Sequence, residues 1–96
     1  MHIITRKRLN DFAAKHPDST DALERWYRIV KKTDFSDFVV LRKIFPSADQ
    51  VNHKTVFNIG GNKYRLITAI HYNRRKIYIR HVLTHSEYDR NGWKND

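Results

Sequence analysis

Residues 55–72 read TVFNIGGNKYRLITAIHY, residues 73–75 read NRR, and residues 76–89 read KIYIRHVLTHSEYD. Apolar and polar side chains alternate through most of this stretch, which is the period of a half-buried β-strand. Gly60-Gly61-Asn62 tolerates the positive φ that a hairpin turn needs. Thr55–Ile59 and Tyr64–Tyr72 are therefore expected to pair, with Asn73-Arg74-Arg75 leading back into a third strand over Lys76–Leu83. If the Asn73-Arg74 turn closes with two residues, Arg65 opposes Val82 and Ile67 opposes Arg80. Arg65 and Arg80 then lie diagonally on one sheet face, and a shift of one residue in pairing would turn one of them away.

Upstream of this sheet the periodicity changes. MHIIT reads as a short first strand. Leu9, Phe12, Ala13 and His16 then trace one helical face that stops at Pro17. Ser19 or Thr20 is a candidate N-cap for a second helix, in which Leu23, Trp26, Tyr27 and Val30 repeat the core spacing. Asp21 and Glu24 stand near its positive end, and Lys31 and Lys32 at its negative end. DFVVLRKIF before Pro46 reads as a third short helix capped by Ser36, with Phe38, Leu41 and Phe45 inward; a strand through Val39–Leu41 is the alternative. Ser47–Lys54 is polar and reads as a loop. The element order predicts an α+β fold over residues 1–96, a single domain with an N-terminal strand and helices packed on an antiparallel sheet.

The chain has 96 residues, 40% of them hydrophobic, with two Trp, five Tyr and five Phe. That is enough for one core without covalent staples, and there is no cysteine to form any. The absence of cysteine excludes a disulfide framework, a thiolate metal site and a cysteine nucleophile, and suits a reducing cytoplasm. MHIITRKRL does not have the order of a secretory signal. The longest purely apolar run, Phe38–Leu41, falls far short of the roughly 20 residues that span a bilayer, so no membrane partner is expected.

Nineteen Lys and Arg against ten Asp and Glu give a formal net charge of +9. Such a balance points to a polyanionic partner, and nucleic acid suits it better than a membrane surface, because no strongly amphipathic basic helix with a Trp/Leu face stands out as a membrane anchor. Two strand arginines can hold a phosphate by bidentate hydrogen bonds and stabilise charge developing on it. The bland alternative is two solvated arginines paired with carboxylates, yet from Val51 to Arg90 the only acidic residues are Glu87 and Asp89. His85 and Tyr88, three apart after the last strand, project to one side of a helical turn, where they can exchange protons or merely pack.

RNA cleavage by its own 2′-hydroxyl needs a base at that oxygen, an acid at the 5′ leaving oxygen and a cation on the phosphate. Arg65, Arg80, His85 and Tyr88 are the residues able to fill those roles. Arg74 and Arg75 in the turn are candidate phosphate contacts, as is the basic first helix. His2, His16, His53, His71 and His81 show no metal-ligand spacing, and there is no acidic cluster for magnesium. No metal and no other cofactor is expected.

The residues NIGGNKYRL followed by YIRHVLTHSEYD resemble the HigB group of toxins from bacterial type II toxin-antitoxin systems, within the RelE-like superfamily. The resemblance implies a RelE-like fold and a metal-independent, ribosome-dependent mRNA endonuclease that inhibits translation. It also implies a cognate HigA-type antitoxin with a DNA-binding domain, operator DNA being reached only through that partner. An arginine on a central strand that supports the scissile phosphate corresponds to Arg65, and a C-terminal tyrosine in proton transfer corresponds to Tyr88; Arg80 and His85 fit less tightly. Lys54 and Lys63 are the nearest counterparts of lysines used elsewhere in the superfamily, and Asn62 beside them is a further expected RNA contact. A non-catalytic RNA- or ribosome-binding module is the competing expectation. A DNA-binding regulator is disfavoured because no helix-turn-helix pair is visible.

Overall fold

The computed structural model describes residues 1–95. Strand β1 (His2–Ile4) leads into α1 (Lys7–Lys15), and a single 3₁₀ turn at Pro17–Ser19 separates it from α2 (Thr20–Lys32). After α3 (Phe38–Ile44) the chain enters β2 (Asp49–Val51), β3 (Lys54–Ile59), β4 (Tyr64–His71) and β5 (Lys76–Thr84), then ends in α4 (His85–Asp89) and a 3₁₀ turn. The sheet order is β1-β5-β4-β3-β2. All pairings are antiparallel except β1 with β5, which is parallel.

The expected α+β arrangement is present, but the sheet is mixed rather than purely antiparallel. A parallel pair needs a long connection between its strands, and here everything from α1 to β4 supplies it. The polar stretch expected as a loop contains β2, which pairs with β3 through a tight turn at Asn52 and His53. Both residues have positive φ, 48° and 67°, as a two-residue type I′ turn demands. His at such a position is an uncommon turn signal, which hid the hairpin.

Helices α1, α2 and α3 cover one face of the sheet. Leu9 from α1, Leu23, Trp26 and Val30 from α2, and Leu41 from α3 are buried against Phe57, Ile59, Leu66, Ile77 and Ile79 of the strands. Trp26 and Phe45 both meet Phe57 edge-on, at 5.4 and 5.1 Å between ring centroids. α3 is helical as expected, with Leu41 inward, but its cap is Asp37 instead of Ser36: the carboxylate accepts from Val40 N at 2.9 Å. Ser19 precedes α2 without capping it, because its hydroxyl donates to the His16 carbonyl at 2.7 Å.

The main departure from the expected register lies between β4 and β5. From the turn to Thr68↔Ile79 the strands pair as the sequence predicts; beyond it Ile67 pairs with His81, and Arg80 is skipped as a bulge. Val82 therefore opposes Leu66 and Leu83 opposes Arg65. The physical reason is burial. Strict alternation from Ile77 and Ile79 would have sent His81 into the helix-side core, and one extra residue sends Val82 there instead. Val82 packs against that core, and the Arg80 carbonyl accepts from Arg8 Nη1 at 2.7 Å.

Two positions on α3 test this packing. Leu41 is fully buried while Val39 is 67% exposed. Leu41→Ala is expected to cost about 2–5 kcal/mol in urea unfolding. Val39→Ala should stay within about 0.5 kcal/mol of the parent.

Candidate active site

β4 presents alternate residues to opposite faces, so Tyr64 and Leu66 enter the helix-side core while Arg65 and Ile67 point the other way. On that second face Val56, Ile67 and Trp93 form a small buried cluster with Val51, Leu83 and Tyr88 against it. Arg65 lies between Asn58 of β3 and Leu83 of β5. Its Nη1 donates to the carbonyls of Asn62 at 3.1 Å and Tyr64 at 3.2 Å. The guanidinium carbon sits 5.3 Å from the centroid of the Tyr88 ring, within cation–π range. With one nitrogen anchored to carbonyls, the five-donor fork is held in place while keeping the planar shape that fits a phosphate.

Tyr88 reaches this position because the chain passes directly from strand to helix at Thr84. Thr84 Oγ1 accepts from Glu87 N at 3.3 Å, and Glu87 Oε1 accepts from Thr84 N at 2.9 Å. This reciprocal capping box starts α4 immediately after the last strand residue. The backbone N–H of Thr84 is the chief reason the Glu87 carboxyl is held below its ordinary range. One turn later the Tyr88 carbonyl accepts from Trp93 Nε1 at 2.9 Å, and the two rings stack at 5.0 Å.

His85 and Tyr88 occupy one short helix, as their spacing suggested. The sequence reading did not select Asp89, whose Oδ2 lies 3.0 Å from His85 Nδ1. A helical reading of HSEYD would have revealed it, since residues 85 and 89 are one turn apart. A carboxylate on Nδ1 selects the tautomer that leaves Nε2 as the proton acceptor. Arg65 and Tyr88 are thus in contact, and the His85–Asp89 pair stands on the same short helix as Tyr88.

The remaining expected residues are dispersed. Arg80 is exposed in the bulge and does not lie diagonally across from Arg65, which corrects the pairing on which its role was based. Lys54 is buried at the start of β3, only 6% exposed. Asn62 and Lys63 occupy the exposed β3–β4 turn beside Arg65. Arg74 and Arg75 lie in the turn at the far end of β4, roughly 20 Å from Arg65 at the rise of an extended strand. Arg75 has φ 56°, and its Nε is 3.8 Å from an Asp34 carboxylate oxygen. Among the described residues no three His, Asp or Glu side chains gather as a metal site, and no helix is long and apolar enough to cross a membrane.

A polar latch beneath the site was also missed. Asp18, just after Pro17, accepts from the Tyr64 hydroxyl at 2.7 Å and from Lys63 Nζ at 3.2 Å. The Tyr64 ring meets Phe12 edge-on at 5.1 Å. This ties the start of β4, and hence Arg65, to the end of α1. The Tyr64 hydroxyl, then Lys63, lowers the Asp18 carboxyl below its ordinary value, and the same hydrogen bond to Asp18 raises the Tyr64 phenol.

The signs predict stability lost at both extremes. Asp18 stabilises the fold fully above pH about 4 and loses its effect as pH falls through the lowered folded value. Tyr64 stabilises it fully below pH about 10 and loses its effect as pH rises through the raised value. Thermal melting should therefore decline at both ends, and Asp18→Asn should make both declines shallower. Parent-like slopes in that variant would show that the latch does not couple folding to pH.

A family model for the HigB toxin, described as a RelE-like toxic component of a toxin-antitoxin system, matches residues 19–91 of this chain. The stretch runs from the start of α2 through α4 and so includes Arg65, His85 and Tyr88. A protein from Escherichia coli O6:H1 named mRNA interferase HigB is 34% identical over 93 residues, covering 94% of this chain and 90% of that protein. An mRNA interferase HigB from Shigella flexneri is 38% identical over 92 residues, covering 93% and 88%. The chain belongs to the HigB toxin family, a family of RelE-like toxic components of toxin-antitoxin systems.

Proposed function

We propose that this chain is an endoribonuclease that cuts mRNA on the ribosome and so stops translation, using side chains rather than a metal ion. The observation that carries the reading is the convergence of Arg65 with Tyr88, 5.3 Å from guanidinium carbon to ring centroid, on the sheet face that the helices leave open. Relatives named mRNA interferase over nearly the whole length support it.

The chemistry follows from the residue types. The substrate 2′-hydroxyl loses its proton to a base and attacks the adjacent phosphorus; the P–O5′ bond breaks, and the departing oxygen takes a proton from an acid. The products are a 2′,3′-cyclic phosphate and a 5′-hydroxyl end, with no net gain or loss of protons. Arg65 binds the phosphate and offsets the extra negative charge of the five-coordinate state. His85, oriented by Asp89, and Tyr88 carry the two proton transfers. Arg80, Asn62 and Lys63 contact the RNA on either side, and Arg74 and Arg75 reach a more distant part of the polyanion. Lys54, being buried, acts on RNA less directly than these. Activity is held in check in the cytoplasm by a HigA-type antitoxin with a DNA-binding domain, through which the pair reaches operator DNA.

Expression without the antitoxin is expected to arrest growth. Arg65→Ala should reduce cleavage by about 10²–10³-fold and Tyr88→Phe by about 10²–10⁴-fold; both should restore growth while the proteins still melt cooperatively. New 5′ ends should map within translated messages. Equal cutting of untranslated RNA would overturn ribosome dependence. Arrest with intact messages, by a protein whose ribosome affinity falls steeply with salt, would overturn catalysis in favour of a binding module.

A further inference from the structure

We propose that Trp93 is a positioning residue for Tyr88, acting through the ring's orientation and not on the RNA. The inference rests on the reading of Tyr88 as a proton-transfer group. It extends that reading to a residue beyond the stretch 19–91 that the family model matches.

The geometry of the C-terminal turn carries the argument. α4 has only five residues, His85–Asp89, too few to hold its shape without tertiary contacts. Tyr88 is only half-buried on it. Left to itself, such a side chain would sample several rotamers over the open sheet face. Asn91 then takes φ 62°, the left-handed conformation that ends helices and that Asn tolerates. The chain reverses, and the following 3₁₀ turn carries Trp93 back under α4. Trp93 is 4% exposed and packs against Val56 and Ile67 of the sheet.

Three contacts then converge on one residue. The Trp93 indole lies nearly parallel to the Tyr88 ring, 15° between planes at 5.0 Å. Its Nε1–H donates to the Tyr88 carbonyl at 2.9 Å, and the N–H of Asn91 donates to the same oxygen at 3.1 Å. Backbone and ring of Tyr88 are both referred to the rigid sheet through one indole. Arg65, on that sheet, is the other fixed point. Trp93 therefore sets where the Tyr88 hydroxyl stands relative to a phosphate held by Arg65. A displacement of about 1 Å at such a group can cost on the order of 10²-fold in rate.

The test is single-turnover cleavage of ribosome-bound mRNA by the full chain. Trp93→Leu keeps apolar bulk but removes the flat face and the N–H; it should slow cleavage by on the order of 10- to 100-fold, with ribosome binding within about twofold of the parent. Trp93→Phe keeps a stacking face and should remain within about fivefold. The double variant Trp93→Leu with Tyr88→Phe should be no slower than Tyr88→Phe alone, because the positioned group is already gone. If Trp93→Leu does not fold, Trp93→Met is held to the same three expectations. Parental cleavage by the leucine variant, or losses that multiply in the double variant, would overturn the proposal. Parental cleavage by Tyr88→Phe would instead remove the catalytic reading of Tyr88 itself.

Discussion

Everything in this structure depends on β4 serving two faces at once. It is flanked on both sides, by β3 and β5, and its period-two alternation sends Leu66 into the helix-side core while Arg65 and Ile67 go to the opposite face. The alternation cannot slip, because a shift of one residue would place a guanidinium among Leu23, Trp26 and Phe57 and expose Leu66. The fold therefore fixes the direction of Arg65 with the full cost of disrupting the core. A cation on a loop would have no comparable constraint.

β5 must match both faces of β4, and strict alternation cannot do so with its sequence. The apolar residues that belong inside are Ile77, Ile79 and Val82, spaced two and then three apart. The bulge at Arg80 absorbs the extra residue, and its carbonyl finds a donor in Arg8 of α1. Beyond the bulge, Leu83 falls opposite Arg65 and gives the second face its small apolar floor. The same change of phase sets the direction in which Thr84 hands the chain to α4. The bulge thus couples the packing of the helix-side core to the placement of Tyr88.

Much of this was legible in the sequence because the signals were local. The hairpin at Gly60-Gly61 and the inward faces of α1 and α2 follow from periodicity and turn chemistry, whereas Arg65 and Tyr88 were singled out together only by the resemblance to the toxin family, and their contact is seen only in the fold. What was not legible depended on competition between distant groups. The bulge required knowing that burying His81 is worse than inserting a residue, and strict alternation had no means of weighing that. The Asp18 latch joins residues 45 and 46 positions apart, and no spacing rule connects them. Ser36 and Asp37 are both good caps, and it is the extended backbone at Asp37, with its carboxylate accepting from Val40 N, that distinguishes them. Asp89 is different: it meets His85 only because α4 is helical, and a five-residue segment carries no periodicity that sets a helix apart from a turn.

The second face shows how a small domain can keep an open surface without leaving it loose. A chain of 96 residues buries a smaller share of its surface than a larger domain would, and helices α1, α2 and α3 are all used on the first face. Among the described residues, the cover on the open face is Trp93 with its neighbours, enough to bury Val56 and Ile67 but not to roof over Arg65. Covering it with a further helix would add burial and remove access for a polyanion. Leaving it bare would expose Ile67, which is fully buried, and release Tyr88 from its stack. A single indole at the end of a left-handed turn meets both demands: it closes the apolar floor beneath the tyrosine and leaves Arg65 partly exposed.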